Sequence, residues 1–158
     1  QRMVGADLRP EAIERFKALG GEAAALQDVM AQADVIVATT GVKGLIKPEW
    51  VRPGQIVFAL SNPDAEIEPV VALERGAVFA ADGKGINNVA AFPGLFKGAL
   101  EAAAPKFTDG MLVAAAHALA RRAGAEELLP DPLNLETHRA VTAAVRLAAT
   151  EPVSTALL

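Results

Sequence analysis

The chain has 158 residues, no cysteine, 52% hydrophobic and 22% charged residues, and a formal net charge of -4. That length fits one domain with a sizeable core, and the apolar content excludes a disordered chain. No cysteine means no disulfide framework, no thiolate nucleophile and no zinc–cysteine site. The acidic balance argues against nucleic acid as a partner, since phosphate binding needs clustered Lys and Arg. No apolar run reaches the ~18 residues of a bilayer span, and no secretory leader pattern is present. A cytoplasmic protein is therefore expected.

Residues 2–7 read as a short buried strand ending in Asp7. A helix follows over 10–19, started by Pro10 in its first turn and stopped by Gly20-Gly21. Ile13, Phe16 and Leu19 recur on one face. A second helix covers 26–33. The β-branched run 34–41, closing on Gly41, has the pattern of a parallel strand buried on both faces. Residues 47–51 make one helical turn, and Pro53-Gly54 is a turn signal. A strand over 55–60 is broken by Ser61-Asn62-Pro63. A helix over 68–75 leads to a strand over 77–81. Strands alternating with helices predict a Rossmann-like doubly wound α/β parallel sheet. After Asp82 the chain turns helical. Residues 87–103 are helical with an interruption near Pro93-Gly94. Thr108 N-caps a helix over 108–123 with Leu112, Ala115 and Leu119 on one face. Residues 126–135 form a loop, and a last helix runs over 136–149 with Val141, Ala144, Val145 and Ala148 on one face. The whole of 1–158 reads as a partial dinucleotide domain, with βαβ units over 1–81 and a mostly helical part over 82–158.

In doubly wound sheets, ligands bind beyond the carboxyl ends of the strands. Three such ends stand out: Asp7, Thr39-Thr40-Gly41-Val42 and Ser61-Asn62-Pro63. An acid there can accept the hydroxyl pair of a ribose. Gly41 lets a ligand approach the backbone, and Asn62 offers both a donor and an acceptor. Each also has a plain alternative as a cap or a turn. Asp7 favours NAD, whereas Arg9 could accommodate the 2′-phosphate of NADP. The segment 83–100 pairs Asn87 with Asn88 ahead of an apolar, glycine-punctuated stretch; the two amides could hold a carboxylate and a hydroxyl, or cap the next helix.

The stretches FALSNPDAEIEP, GAVFAADG, INNVAAFPGLFKGAL and AAAHALAR resemble the distal part of the NAD(P)-binding domain of malic enzymes. The resemblance implies an oxidoreductase that converts L-malate to pyruvate and CO2 with NAD or NADP, NAD favoured, and with Mg2+ or Mn2+. It implies that Asn62 and Asn88 contact malate. It places Asp7, Thr40, Gly41, Val42, Asn62 and Asn87 against the cofactor, and it suggests a homo-oligomer. This sequence departs from the family in having only Gly83-Lys84-Gly85-Ile86 before the asparagine pair, where the family carries a longer loop. It also has no G-x-G-x-x-G ahead of Asp7 and no tyrosine. The family's catalytic Tyr/Lys pair and most of its acidic metal ligands lie in a part without a counterpart here.

The resemblance therefore predicts a fragment that starts near the second strand of the domain, lacks the first βα unit and is inactive alone. It predicts no metal ligand within the chain. Asp64, Glu66 and Glu68 read as a solvated loop cluster, and His117 and His138 as packing or surface residues. Other readings are a different Rossmann dehydrogenase, of the adenosylhomocysteinase or methylene-tetrahydrofolate dehydrogenase type, and a non-catalytic half-domain that acts as an interaction module. The Asn-Asn-Val-x-x-Phe-Pro-Gly segment favours malic enzyme.

Overall fold

A computed structural model describes residues 2–86, 88–124 and 127–150; the side chain of Asn88 is also outside the described set. The chain divides into two compact units, 1–86 and 87–158.

Among the described residues the first unit holds five short strands. β1 (Val4–Gly5) pairs in parallel with β2 (Glu22–Ala23). β3 (Val35–Ala38), β4 (Ile56–Ala59) and β5 (Phe79–Asp82) form a separate parallel sheet in the order β3-β4-β5. Parallel neighbours need crossovers, and helices provide them. α1 (Pro10–Ala18) links β1 to β2, and α3 (Pro69–Glu74) links β4 to β5. α2 (Leu26–Gln32) lies between the two sheets in sequence. This is the expected α/β architecture with parallel strands. The strand β2 was not expected: Glu22 and Ala23 are exposed and carry no β-branched side chain, and only pairing to β1 makes them a strand. An exposed ion pair, Arg2 to Glu22 at 2.6 Å, spans that pairing.

Period-two alternation puts Ile36, Ala38, Val57 and Ala59 on one face of the larger sheet. There they join Met30, Ile46, Val51, Ala65, Ile67, Ala72 and Ala77 in the core of this unit. A polar side chain is built into the same region. Gln55, 1% exposed, donates to the carbonyls of Met30 (2.9 Å) and Ala33 (2.8 Å) and accepts from the N–H of Arg52 (2.7 Å). It closes the C-terminal end of α2, whose last carbonyls have no helical partner.

The second unit is helical. A 3-10 turn over Asn88–Ala90 precedes α4 (Phe92–Glu101), followed by α5 (Asp109–Ala120) and α6 (Leu135–Thr150). The break expected near Pro93-Gly94 falls ahead of Phe92 instead. Pro93 sits in the first turn of α4, where its missing N–H costs no hydrogen bond. Gly94 and Gly98 explain the glycine punctuation. A Cβ on Gly94 would lie 2.6 Å from Cβ of Val141, and one on Gly98 would lie 2.7 Å from the Thr142 carbonyl oxygen. The two glycines let α4 lie directly against α6. Thr108 caps α5 as expected, accepting from the N–H of Met111 at 3.3 Å. The buried face of α5 is Met111, Ala115 and Ala118, so Leu112, 47% exposed, does not belong to it. Among the described residues no helix is long and apolar enough to cross a membrane.

Candidate functional site

The carboxyl ends of β3 and β4 carry the densest polar network in the first unit. Gly41 has φ of 72°, a left-handed conformation that suits glycine, and a Cβ there would meet nothing within 4 Å. The Gly41 N–H donates to Ser61 Oγ at 2.7 Å. This bond joins the loop after β3 to the loop after β4. Ser61 Oγ in turn donates to Glu66 Oε1 at 2.6 Å. The same oxygen accepts from the Thr40 N–H at 2.6 Å and from Thr40 Oγ1 at 2.8 Å. The Val42 N–H donates to Thr40 Oγ1 at 3.2 Å. Thr40, Gly41, Val42 and Ser61 are thus held as one cluster, the first three exposed and Ser61 buried.

Asn62 sits at the rim of this cluster. Its peptide bond to Pro63 is cis. Its Nδ2 donates to the carbonyl of Gly83 at 3.1 Å, so the loop after β4 is tied to the loop after β5. Gly83 permits this closeness: a Cβ there would stand 2.4 Å from the Leu60 carbonyl oxygen and 2.6 Å from Asn62 Nδ2. With Nδ2 engaged on Gly83, Asn62 is nonetheless exposed at these strand ends. Asp82 Oδ1 accepts from the N–H groups of Lys84 (3.0 Å) and Gly85 (2.9 Å), which shapes the short turn after β5.

Asp7 follows β1, in the smaller sheet. Its carboxylate accepts from the Arg9 N–H at 2.9 Å and from the Arg9 guanidinium at 3.2 and 3.1 Å. Hydrogen bonds from the Arg9 side chain and then from its backbone hold the Asp7 carboxyl down at about 2. A shallow pocket of about 250 Å³, lined by Gly5, Ala6, Asp7, Ala12, Ile13 and Phe16, opens beside it.

Of the residues expected at the site, Thr40, Gly41, Val42 and Asn62 come together at adjacent strand ends, and Asp7 lies at the end of a strand in the other sheet. Asn87 and the Asn88 side chain lie outside the described residues. Glu66 is the residue the sequence reading missed. It was grouped with Asp64 and Glu68 as solvated charge, but it is fully buried, at 0% exposure. The signal that could have found it is its apolar flanks, Ala65 and Ile67, together with two hydroxyl residues at neighbouring strand ends. Asp64 pairs instead with Lys43 at 2.9 Å on the surface. Among the described residues no group of three or more His, Asp or Glu side chains is placed to hold a metal ion. His117 is exposed on α5.

Comparison with known proteins bears directly on this geometry. Residues 73–151 match the family described as malic enzyme, NAD binding domain. The chain is 48% identical to NAD-dependent malic enzyme 1 of Bacillus subtilis over 92% of its length, and 34% identical to the NADP-dependent malic enzyme of Halomonas elongata over 80%. It covers 33% of the first and 36% of the second, about a third of the length of the relatives it matches. Among solved structures, malic enzyme from Pyrococcus horikoshii superposes with a TM-score of 0.71 at 38% identity, over 78% of this chain and 31% of that one. The malic enzyme of Entamoeba histolytica does so with a TM-score of 0.74 at 29% identity, over 91% and 35%. With parallel strands that meet in a glycine- and asparagine-bearing rim, and with these relatives, the chain belongs to the malic enzyme family, in the region of its NAD-binding domain.

Proposed function

We propose that this chain supplies the nicotinamide-side and malate-side contacts of an oxidative decarboxylation of L-malate to pyruvate and CO2. The observation that carries the reading is the joined rim of Thr40, Gly41, Val42 and Asn62 at the ends of β3 and β4. A ligand lying across the strand ends meets an open glycine backbone on one loop and a free amide oxygen on the next. The amide oxygen of Asn62 accepts from a substrate hydroxyl without adding charge. Gly41 lets a flat ring approach the main chain. Asp7, with an unshared lone pair on its outer oxygen, accepts a ribose hydroxyl. This favours NAD, since Arg9 is already spent on Asp7. Asn87 and Asn88 complete the polar set in this reading. The nicotinamide, when bound, supplies a hydride acceptor.

The described side chains do not fit the divalent ion that decarboxylation calls for. Glu66 is enclosed by donors and Asp64 is paired with Lys43, so no step is assigned to a metal through these residues. The chain also has no tyrosine to serve as an acid or base. The complete gene product is expected to oxidise malate with Mg2+ or Mn2+, preferring NAD to NADP. The isolated 158-residue polypeptide is expected to show no turnover. A steady-state assay of both proteins with each cofactor tests this. Turnover by the isolated chain, or no malate oxidation by the complete product, overturns the reading.

A further inference from the structure

Glu66 is the only charged side chain among the described residues that is buried, and no cation pairs with it in the network that encloses it. A buried carboxylate is costly unless its lone pairs are filled. Here they are filled by donors alone. Oε1 accepts from the Thr40 N–H, Thr40 Oγ1 and Ser61 Oγ, and Oε2 accepts from the Ser61 N–H at 3.4 Å. The directions are set from outside. Thr40 Oγ1 receives the Val42 N–H and Ser61 Oγ receives the Gly41 N–H, so each hydroxyl has its proton free to give to Glu66. An environment made only of donors suits an ionised carboxylate, which can only accept.

The bonds run to two strand-end loops rather than into the apolar core. The backbone of the same segment adds two more ties, Gly44 N–H to the Ala65 carbonyl (3.2 Å) and Ile46 N–H to the Glu66 carbonyl (3.0 Å). The loop that carries Gly41 and Val42 is therefore anchored at both ends to the segment that carries Glu66. Thr40 and Ser61 immediately precede Gly41 and Asn62, the two residues with surface left for a ligand.

We propose that Glu66 is a positioning residue: an anionic clamp that joins the end of β3 to the end of β4 and so sets the spacing of Gly41 and Asn62 for cofactor and substrate. The proposal rests on the malate-oxidising reading above for its catalytic consequence, but the clamp itself is a property of the fold. Glu66→Gln keeps the shape and removes the charge. A neutral acceptor makes weaker bonds than a carboxylate, and one end of the amide turns a donor toward the Ser61 N–H.

The test has two arms on the complete gene product. In the first, hydrogen exchange is followed at the Thr40, Gly41 and Ser61 amides. Glu66→Gln is expected to speed these at least tenfold relative to the amides of β4. In the second, kcat and KM are measured for Glu66→Gln beside Met30→Ala, a core substitution in α2, at a temperature where both stay folded. Misplaced reactants lose rate more than affinity. Glu66→Gln is expected to lower kcat at least tenfold with a smaller change in either KM, while Met30→Ala keeps kcat within twofold. Unchanged exchange, unchanged kcat in an active enzyme, or an equal fall in kcat for Met30→Ala overturns the proposal. If the unsubstituted enzyme does not oxidise malate, the functional reading fails, and the exchange arm still decides for or against the clamp.

Discussion

Two buried polar residues show how differently single side chains can serve this fold. Gln55 satisfies backbone groups, and its removal is a stability question. Arg52 also donates to the Met30 and Ala33 carbonyls, at 3.4 and 2.9 Å, so those acceptors keep a partner when Gln55 is lost. The group left bare is the Arg52 N–H. Gln55→Leu is therefore expected to cost about 1 kcal/mol, the low end for an orphaned donor because Arg52 is only part-buried, in urea denaturation. Glu66 makes stability depend on pH instead. Burial pushes its carboxyl up, and hydrogen bonds from Ser61 and Thr40 more than offset this, leaving it below the ordinary value of 4.5. A carboxyl depressed on folding stabilises the fold above its unfolded value, and that contribution is lost as pH falls through the folded value. The stability difference between the unsubstituted protein and Glu66→Gln is thus expected to be full above 4.5 and to shrink on acidification below it. The exposed Lys43–Asp64 pair is present in both proteins, so the difference isolates Glu66. A gap that widens in acid would contradict this sign. Gln55 has no sign in the sequence, and Glu66 only the weak one of its apolar flanks, Ala65 and Ile67. Asp64-Ala65-Glu66-Ile67-Glu68 looks like alternating loop charge, and only the fold turns its middle carboxylate inward while leaving Glu68 exposed.

At the scale of elements, legibility followed local signal strength. β3 and β4 announce themselves through β-branched runs, and α5 through its Thr108 cap. β2 has no local signal at all, because two exposed residues become a strand only by pairing with β1. The glycines of α4 were visible but ambiguous, and the facing helix decides their meaning. Helix propensity alone predicts that Gly→Ala stabilises by ~1 kcal/mol. Close packing predicts the opposite. An added Cβ at Gly94 would sit 2.8 Å from the His138 carbonyl oxygen as well as against Val141, and one at Gly98 would sit 2.8 Å from Cβ of Val145. Backbone and β-carbons cannot swing aside, so overpacking at about 1–3 kcal/mol should win. Gly94→Ala and Gly98→Ala are each expected to lower the melting temperature in a thermal scan. A rise would show that α4 and α6 separate without penalty.

At the scale of the first unit, a parallel sheet has one face that is only partly covered. Such sheets are ordinarily covered on both sides, and the near-continuous apolar character of β3 reflects this. One face packs on the core. The other aligns Val35, Ile56 and Phe79 in one row and Val37, Phe58 and Ala81 in the next. Val35 and Val37 are 51% and 64% exposed, and Phe58 and Phe79 lean on each other at 5.7 Å between ring centroids. The sequence made these residues readable as buried, and the reading was half right: it followed from the pattern of β3 without regard to what lies on each side. Adjacent exposed apolar side chains of this kind drive association. The isolated polypeptide is therefore expected to self-associate with rising concentration in analytical ultracentrifugation. Val37→Lys places a charge on the more exposed edge strand of the face while sparing Ile36 and Ala38 on the packed side. It should shift the distribution toward monomer with little loss of stability, because the position is already exposed. A monomeric isolated chain, or equal association by the Val37→Lys variant, would mean that this face is not adhesive in solution.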